Sequence, residues 1–239
     1  MSTKRHDPDA PAAVVMRGAH RVGHNWFVPA KRAYGGISAE ERRLQRRAAL
    51  LDAALEVIGT QGFAAMTISG LCKDTGLNDR YFSESFESRE AIFSALVDRT
   101  IAEMAESINK AVADADHNLL SLGHAAIRAV IEYLTDDPRR ARIAFTEAPT
   151  TPAVAQRRRE VMDYFLQIAE EHLSQLLGGQ SLPAPDDLRF AGVALFGTLM
   201  ETTATWLAGG LNITRDELID RQTQLGVGLF QAAYSPSTV

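Results

Sequence analysis

The sequence predicts an all-α protein in two parts, a three-helix amino-terminal unit built on a helix-turn-helix and a larger helical bundle behind it. Three observations lead there. From about residue 38 onward apolar residues recur at steps of three and four, and no stretch alternates in the manner of a strand. Two short amphipathic segments, each opened by a capping residue, flank Gly76 and so make two helices joined by a glycine turn. The charge is also divided: residues 1–47 hold ten Lys or Arg against four acids, so a chain of net charge -5 joins a basic end to an acidic body.

Composition agrees with a folded chain. At 239 residues, with 46% apolar and 23% charged, it can bury a sizeable core. Cys72 is the single cysteine, and no basic-then-apolar leader opens the chain, so a reducing cytoplasm is the expected compartment. Phe190 to Ile213 is the longest apolar stretch, but Glu201 and the Gly209-Gly210 break make it a buried or interface helix and not a membrane span.

Residues 1–37 read as a basic, flexible arm, broken by Pro8, Pro11, Pro29 and Gly35-Gly36. The helix-turn-helix unit is expected over 38–88 and the bundle over 89–239. Ser38 to Glu41 has capping-box spacing, so the first helix should start there. Leu44, Ala48, Leu51, Leu55 and Ile58 form its apolar stripe, and Gly59 and Gly62 are expected to end it. Arg42, Arg43, Arg46 and Arg47 crowd its first turns, where the helix dipole disfavours cations and a phosphate backbone would relieve them. Thr67 caps a helix to about Asp74, and Asn78 caps another to about Ser85. Further helices follow at about 89–114, 118–135, 138–147, 152–177, 186–208 and 215–233, the last opened by a second capping box at Thr214.

In a helix-turn-helix the early residues of the second short helix face base edges in the major groove. Here they are Asn78, Asp79, Arg80 and Tyr81, and Arg80 can donate twice to guanine O6 and N7. The alternative for Arg80 is an ion pair with Asp79 or Glu84 on a solvated face.

The stretch Met66 to Arg89, MTISGLCKDTGLNDRYFSESFESR, resembles the tetracycline-repressor (TetR) family of bacterial regulators. Thr67, Leu71, Cys72, Gly76, Leu77, Phe82, Phe86, Arg89 and Glu90 match its pattern in kind. The resemblance implies that Thr67 and Arg89 cap helices and touch phosphates. Asn78 stands for the usual Ser, Ser83 for a phosphate-binding Tyr, and Ser85 for His or Tyr, while Asp79, Glu84 and Glu87 add acids. The resemblance further implies a homodimer through the last two helices, a palindromic double-stranded operator, and a small-molecule effector held within the bundle. Gly192, Ala194, Gly197, Thr198, Ala204, Ala208, Gly226 and Gly228 would allow close helix approach. Tyr133, Phe145, Met162, Phe165, Phe196 and Trp206, with the polar His124, Glu147 and Glu201, are the candidate pocket residues, each equally readable as plain core.

The function expected is therefore a sequence-specific DNA-binding regulator, a repressor released by its effector. The alternative is a dimeric ligand-binding or interaction module whose DNA binding is weakened or lost. No enzyme is expected: Glu170-Glu171-His172 lacks the Glu-x-x-His spacing of a di-metal bundle, and no phosphate loop, nucleophile elbow or Cys-His pair occurs. No cofactor or metal is called for.

Overall fold

The computed structural model describes residues 38–145, 152–178 and 182–234, with the side chains of 152–158 outside the description. The expected arm at 1–37 and the candidate pocket residue Glu147 lie outside the described residues. Among those described, all regular structure is helical: α1 (Ala39–Gln61), α2 (Ile68–Thr75), α3 (Asp79–Ser85), α4 (Arg89–Ala113), α5 (Leu119–Asp136), α6 (Pro138–Phe145), α7 (Pro152–Leu177), α8 (Pro185–Leu207) and α9 (Arg215–Tyr234), with a single 3-10 turn at Phe63–Ala65.

Side-chain caps set most of the starts. Thr67 Oγ1 accepts from the Gly70 amide at 3.0 Å, Asn78 Oδ1 from Tyr81 at 3.1 Å, and Ser88 Oγ from Ala91 at 3.1 Å, each satisfying an amide that the helix leaves free. At α9 the capping box closes both ways: Thr214 Oγ1 accepts from the Glu217 amide at 3.2 Å, and Glu217 Oε2 accepts from the Thr214 amide at 2.8 Å. Between α2 and α3, Gly76 adopts φ +68°, a left-handed conformation that a side chain would strain.

Two differences from the sequence reading concern α1. Gly59 does not end it; the helix runs on to Gln61. The apolar stripe also starts later than expected, because Leu44 is 45% exposed and Ala48 is exposed, while Leu50 and Ala54 are fully buried beside Leu51 and Ile58. The first two turns of α1 reach past the helices that cover the rest of it.

Gly59 serves close packing instead. A Cβ there would lie 2.3 Å from Cβ and 2.8 Å from Cα of Arg139 on α6, so the missing side chain lets α6 cross directly over α1. Arg139 is fixed in place: Asp137 accepts from its Nε at 2.9 Å and from Nη2 at 2.7 Å, and Glu56 of α1 from Nη1 at 2.7 Å. The Arg139 guanidinium holds the Asp137 carboxyl below the usual carboxylate range. Arg142 Nη1 adds a bond to the Thr60 carbonyl at 2.8 Å.

The buried residues gather in two clusters. The amino-terminal one unites Leu50, Ile58, Met66, Leu71 and Phe82 with Ile92, Phe93 and Leu96 of α4 and Ile143 of α6. It therefore continues past residue 88 into the bundle. The second joins Met104 and Ile108 of α4 with Ile127, Ile131 and Leu134 of α5, Leu199 of α8, and Leu218 and Ile219 of α9. Helix α4 contributes to both, and its 25 residues span roughly 37 Å at about 1.5 Å per residue.

Candidate nucleic-acid interface and effector cavity

Helix α3 sits on α1 through Phe82 and Phe86, both buried, whose rings lie 5.9 Å apart. Burying these two turns the intervening residues outward. Arg47 of α1 fastens the far end of α3, donating to the Ser85 carbonyl at 2.9 Å while its guanidinium lies 4.2 Å over the Phe86 ring.

The outward face holds the residues expected to read DNA. Asn78, Asp79, Arg80 and Ser83 are exposed and Tyr81 is half-buried. The Arg80 Nε–H donates to Glu84 Oε1 at 3.0 Å, so the ion pair weighed from the sequence forms, yet the side chain stays 84% exposed. Arg46 lies 4.4 Å over the Tyr81 ring, a cation–π contact that brings a cation of α1 to the same face. Arg43 pairs with Glu40 at 2.8 Å in full solvent, and Arg42 is exposed beside it.

Arg89 and Ser83 direct their polar atoms into the chain, while Thr67 caps α2 as the resemblance implied. Arg89 turns inward, where Nη2 donates to the Phe63 carbonyl at 2.8 Å and the guanidinium covers the Phe63 ring at 4.9 Å. It anchors the 3-10 turn against α4, because Phe63 also meets Phe93 edge-on at 5.2 Å. Ser83 bends its hydroxyl back to the Asp79 carbonyl at 2.9 Å. The Thr67 hydroxyl accepts in its cap and keeps its O–H to donate to a phosphate oxygen.

Within the bundle a cavity of about 240 Å³ opens between α4, α5, α7, α8 and α9. Its walls are aliphatic and aromatic, among them Ile108, Leu122, Ile127, Phe165, Leu195 and Phe230. His172 and Thr223 are the two polar side chains of the lining. Thr223 spends its hydroxyl on the Ile219 carbonyl at 2.8 Å, and His172 Nε2 lies 3.4 Å from Asn109 Oδ1. Such a space accepts an apolar chain and offers nothing to a charged body. Beside it, α4, α5 and α9 frame an open polar cleft of about 910 Å³, in which His124 Nε2 lies 3.3 Å from Asp220 Oδ1 and Arg128 pairs with Glu132 along α5 at 3.1 Å.

Residues 50–96 match the sequence model of the bacterial regulatory proteins of the tetR family. The match spans the helix-turn-helix and the start of α4, so it is over this segment that the chain is similar to that family. It is similar to the Fatty acid metabolism regulator protein of Bacillus subtilis, 26% identical over 164 residues that cover 66% of this chain and 81% of that protein. A second relative, the HTH-type transcriptional activator FasR of Mycolicibacterium smegmatis, is 23% identical over 201 residues, 83% of this chain and 90% of FasR. The crystal structure of FadR from B. subtilis in complex with stearoyl-CoA superposes with a TM-score of 0.63 at 21% identity, covering 77% of this chain and 97% of that one. At that identity the superposition establishes the shared fold. The segment match and these relatives support a transcriptional regulator, as the helix-turn-helix led one to expect.

Of the pocket residues expected from the sequence, Met162, Phe165 and Phe196 line the cavity. The other described ones do not. His124 faces the polar cleft. The Tyr133 hydroxyl donates to Glu103 at 2.8 Å beneath the Arg140 guanidinium, and burial, then the Glu103 carboxylate, keep it protonated beyond the ordinary tyrosine range. Phe145 packs on the second core. Glu201 is exposed on α8. Trp206 packs on the second core too, its indole N–H tied to the Ile213 carbonyl at 2.8 Å. The aliphatic lining on α4 and α5 was missed because its i, i+3, i+4 spacing is that of ordinary core.

The small residues of α8 and α9 divide as well. Gly192 admits Leu166 of α7, whose Cδ2 would lie 2.0 Å from a Cβ there, and Gly226 admits Leu195 of α8 at 3.2 Å, so these two serve packing within the chain. Gly197 and Gly228 open outward with nothing nearby, on the two helices that expose Phe190 (73%), Val193 (39%), Leu207 (42%) and Leu225 (41%). Among the described residues no group of three His, Cys, Asp or Glu gathers as a metal set, and no helix is long and apolar enough to cross a membrane.

Proposed function

We propose that the protein is a homodimeric regulator that occupies a palindromic operator and leaves it when a long-chain acyl effector, of the acyl-CoA class, enters the bundle cavity. The observation that carries the effector class is the cavity itself, whose wall is apolar but for Thr223, bonded to the Ile219 carbonyl, and His172, beside Asn109. An alkyl chain gains about 0.8 kcal/mol per methylene buried, so such walls select length and hydrophobicity over charge. The B. subtilis FadR, similar in fold, holds stearoyl-CoA. At about 240 Å³ the cavity lies just below the roughly 300–1,000 Å³ of occupied ligand sites, so the helices part as the chain enters.

Two connections carry that parting to the reading head. Helix α4 has its first turns in the amino-terminal core and Met104, Ile108 and Val112 on the cavity wall. Helix α6 clamps α1 through Arg139 and Arg142. A displacement of α4 against α7 and α8 thus tilts α1 to α3, and in a dimer it changes the spacing of the two recognition helices. The exposed apolar face of α8 and α9 is the surface we assign to the dimer, since contiguous apolar residues left in water mark an interface. Whether departure lowers or raises transcription follows from where the operator lies relative to its promoter; repression is the reading we adopt.

The test is anisotropy on a duplex enriched from a random pool, titrated in parallel with stearoyl-CoA, free CoA and stearate. Release by stearoyl-CoA but not by CoA is expected, and indifference to all three would overturn the effector assignment. Enrichment of no duplex would favour the ligand-binding or interaction module instead. On the enriched duplex, Arg80→Ala should remove roughly 1–3 kcal/mol of base discrimination while the salt dependence from phosphate contacts persists. Equal weakening on every sequence would assign Arg80 to phosphate.

A further inference from the structure

The recognition helix carries an acid where a polyanion would favour a base. Glu84 lies one turn beyond Arg80 on α3, and its carboxylate engages two cations from two helices. Oε1 accepts from Arg80 Nε at 3.0 Å, while Oε2 lies 3.9 Å from Nη2 of Arg46, the α1 residue whose guanidinium rests on Tyr81. An exposed pair of this spacing adds little to stability. Its consequence is to be sought in recognition.

An arginine has five N–H donors. Glu84 takes the Nε–H of Arg80 and leaves the two Nη groups, which form the fork that fits guanine O6 and N7. An arginine that is 84% exposed would otherwise sample many rotamers and lose that freedom on docking. The Glu84 charge meanwhile repels phosphate wherever the head lands, on any sequence.

We propose that Glu84 is a positioning residue for base readout, orienting the Arg80 fork at the expense of non-specific affinity. This rests on the DNA-reading role proposed above. It requires two effects of opposite sign from one carboxylate, discrimination gained through Arg80 and indiscriminate affinity lost through charge.

The experiment uses the full chain and the enriched duplex, compared with the same duplex in which the guanine facing Arg80 is replaced by adenine, and with an unrelated duplex, across a salt series. Glu84→Ala should bind the unrelated duplex more tightly while discrimination between guanine and adenine falls about tenfold. Glu84→Gln keeps an acceptor for the Nε–H without the charge, so it should gain the same non-specific affinity and keep most of the discrimination. In an Arg80→Ala background, Glu84→Ala should change discrimination no further, as expected of residues acting as one unit. Unchanged discrimination in Glu84→Ala would overturn the inference. So would an equal fall with Arg80 absent, which would mean that the carboxylate meets the bases itself. A wild-type protein that prefers no duplex removes the DNA-reading role and this inference with it, and that outcome is visible before any variant is made.

Discussion

Gly59→Ala should destabilise the protein, although replacing glycine by alanine inside a helix ordinarily stabilises by about 1 kcal/mol. The added Cβ would sit 2.3 Å from Arg139 Cβ and 2.8 Å from its Cα, and backbone cannot move aside as a flexible side chain can. Nor can Arg139 swing away, since Asp137 and Glu56 hold its guanidinium from two sides. Helix α6 must lift from α1 instead. Overpacking of this kind costs roughly 1–3 kcal/mol, and at about 2–4 °C per kcal/mol for a chain of this size calorimetry should show the melting temperature falling by several degrees. The same lift loosens one of the two connections between cavity and reading head, so effector-driven release from DNA should weaken as well. A higher melting temperature in the variant would show that α6 does not press on α1 as described.

Gly123→Leu should do the reverse to stability and more to function. Gly123 lies on the α5 face that lines the cavity, and a Cβ there meets nothing within 4 Å. A leucine side chain can enter that space without displacing a neighbour. Removing a helical glycine contributes about 1 kcal/mol, and the buried side chain adds to it. The melting temperature should rise. Yet the added carbons take the room an acyl chain needs, so stearoyl-CoA affinity should drop by more than tenfold, with operator affinity unchanged, giving a regulator that stays bound. Thermal denaturation and anisotropy measured on one preparation separate the two effects. Retained effector affinity would place the ligand elsewhere, and the polar cleft beside His124 would be the next site to probe.

Helix limits were legible in the sequence because their signals are local. Thr67, Asn78 and Thr214 each bond to the amide three residues on, and Gly76 answers to its own φ, so no distant part of the chain needs to be known. Face and partner were less legible. The stripe on α1 held at Leu51 and Ile58 but missed Leu50 and Ala54 and took in Leu44 and Ala48, because the first turns look amphipathic yet are left uncovered. Arg89 matched the family pattern by type, but its direction depends on the Phe63 carbonyl 26 residues away. Gly59 reads as a helix end unless one knows that Arg139 arrives there. The cavity was the hardest to foresee. Large aromatic residues were expected around it, whereas a hollow is defined by what fails to fill it, and Gly123 and Ala126 on α5 make room where Tyr133 and Trp206 do not.

Ile143, five helices on from α1 in chain order but seated in one cluster with Ile58, Phe93 and Leu96, has a consequence for how such a protein can change over time. The hydrophobic interior of the reading head is completed by a residue from the sensing half, and α4 runs through both. A gene fusion that exchanged only the first 88 codons for those of another regulator would join two incomplete interiors and leave apolar surface facing water at the seam. A change of DNA preference or of ligand would therefore leave the joint intact only if made by substitution at exposed positions of α3 and on the cavity wall, and not by exchanging the amino-terminal segment whole.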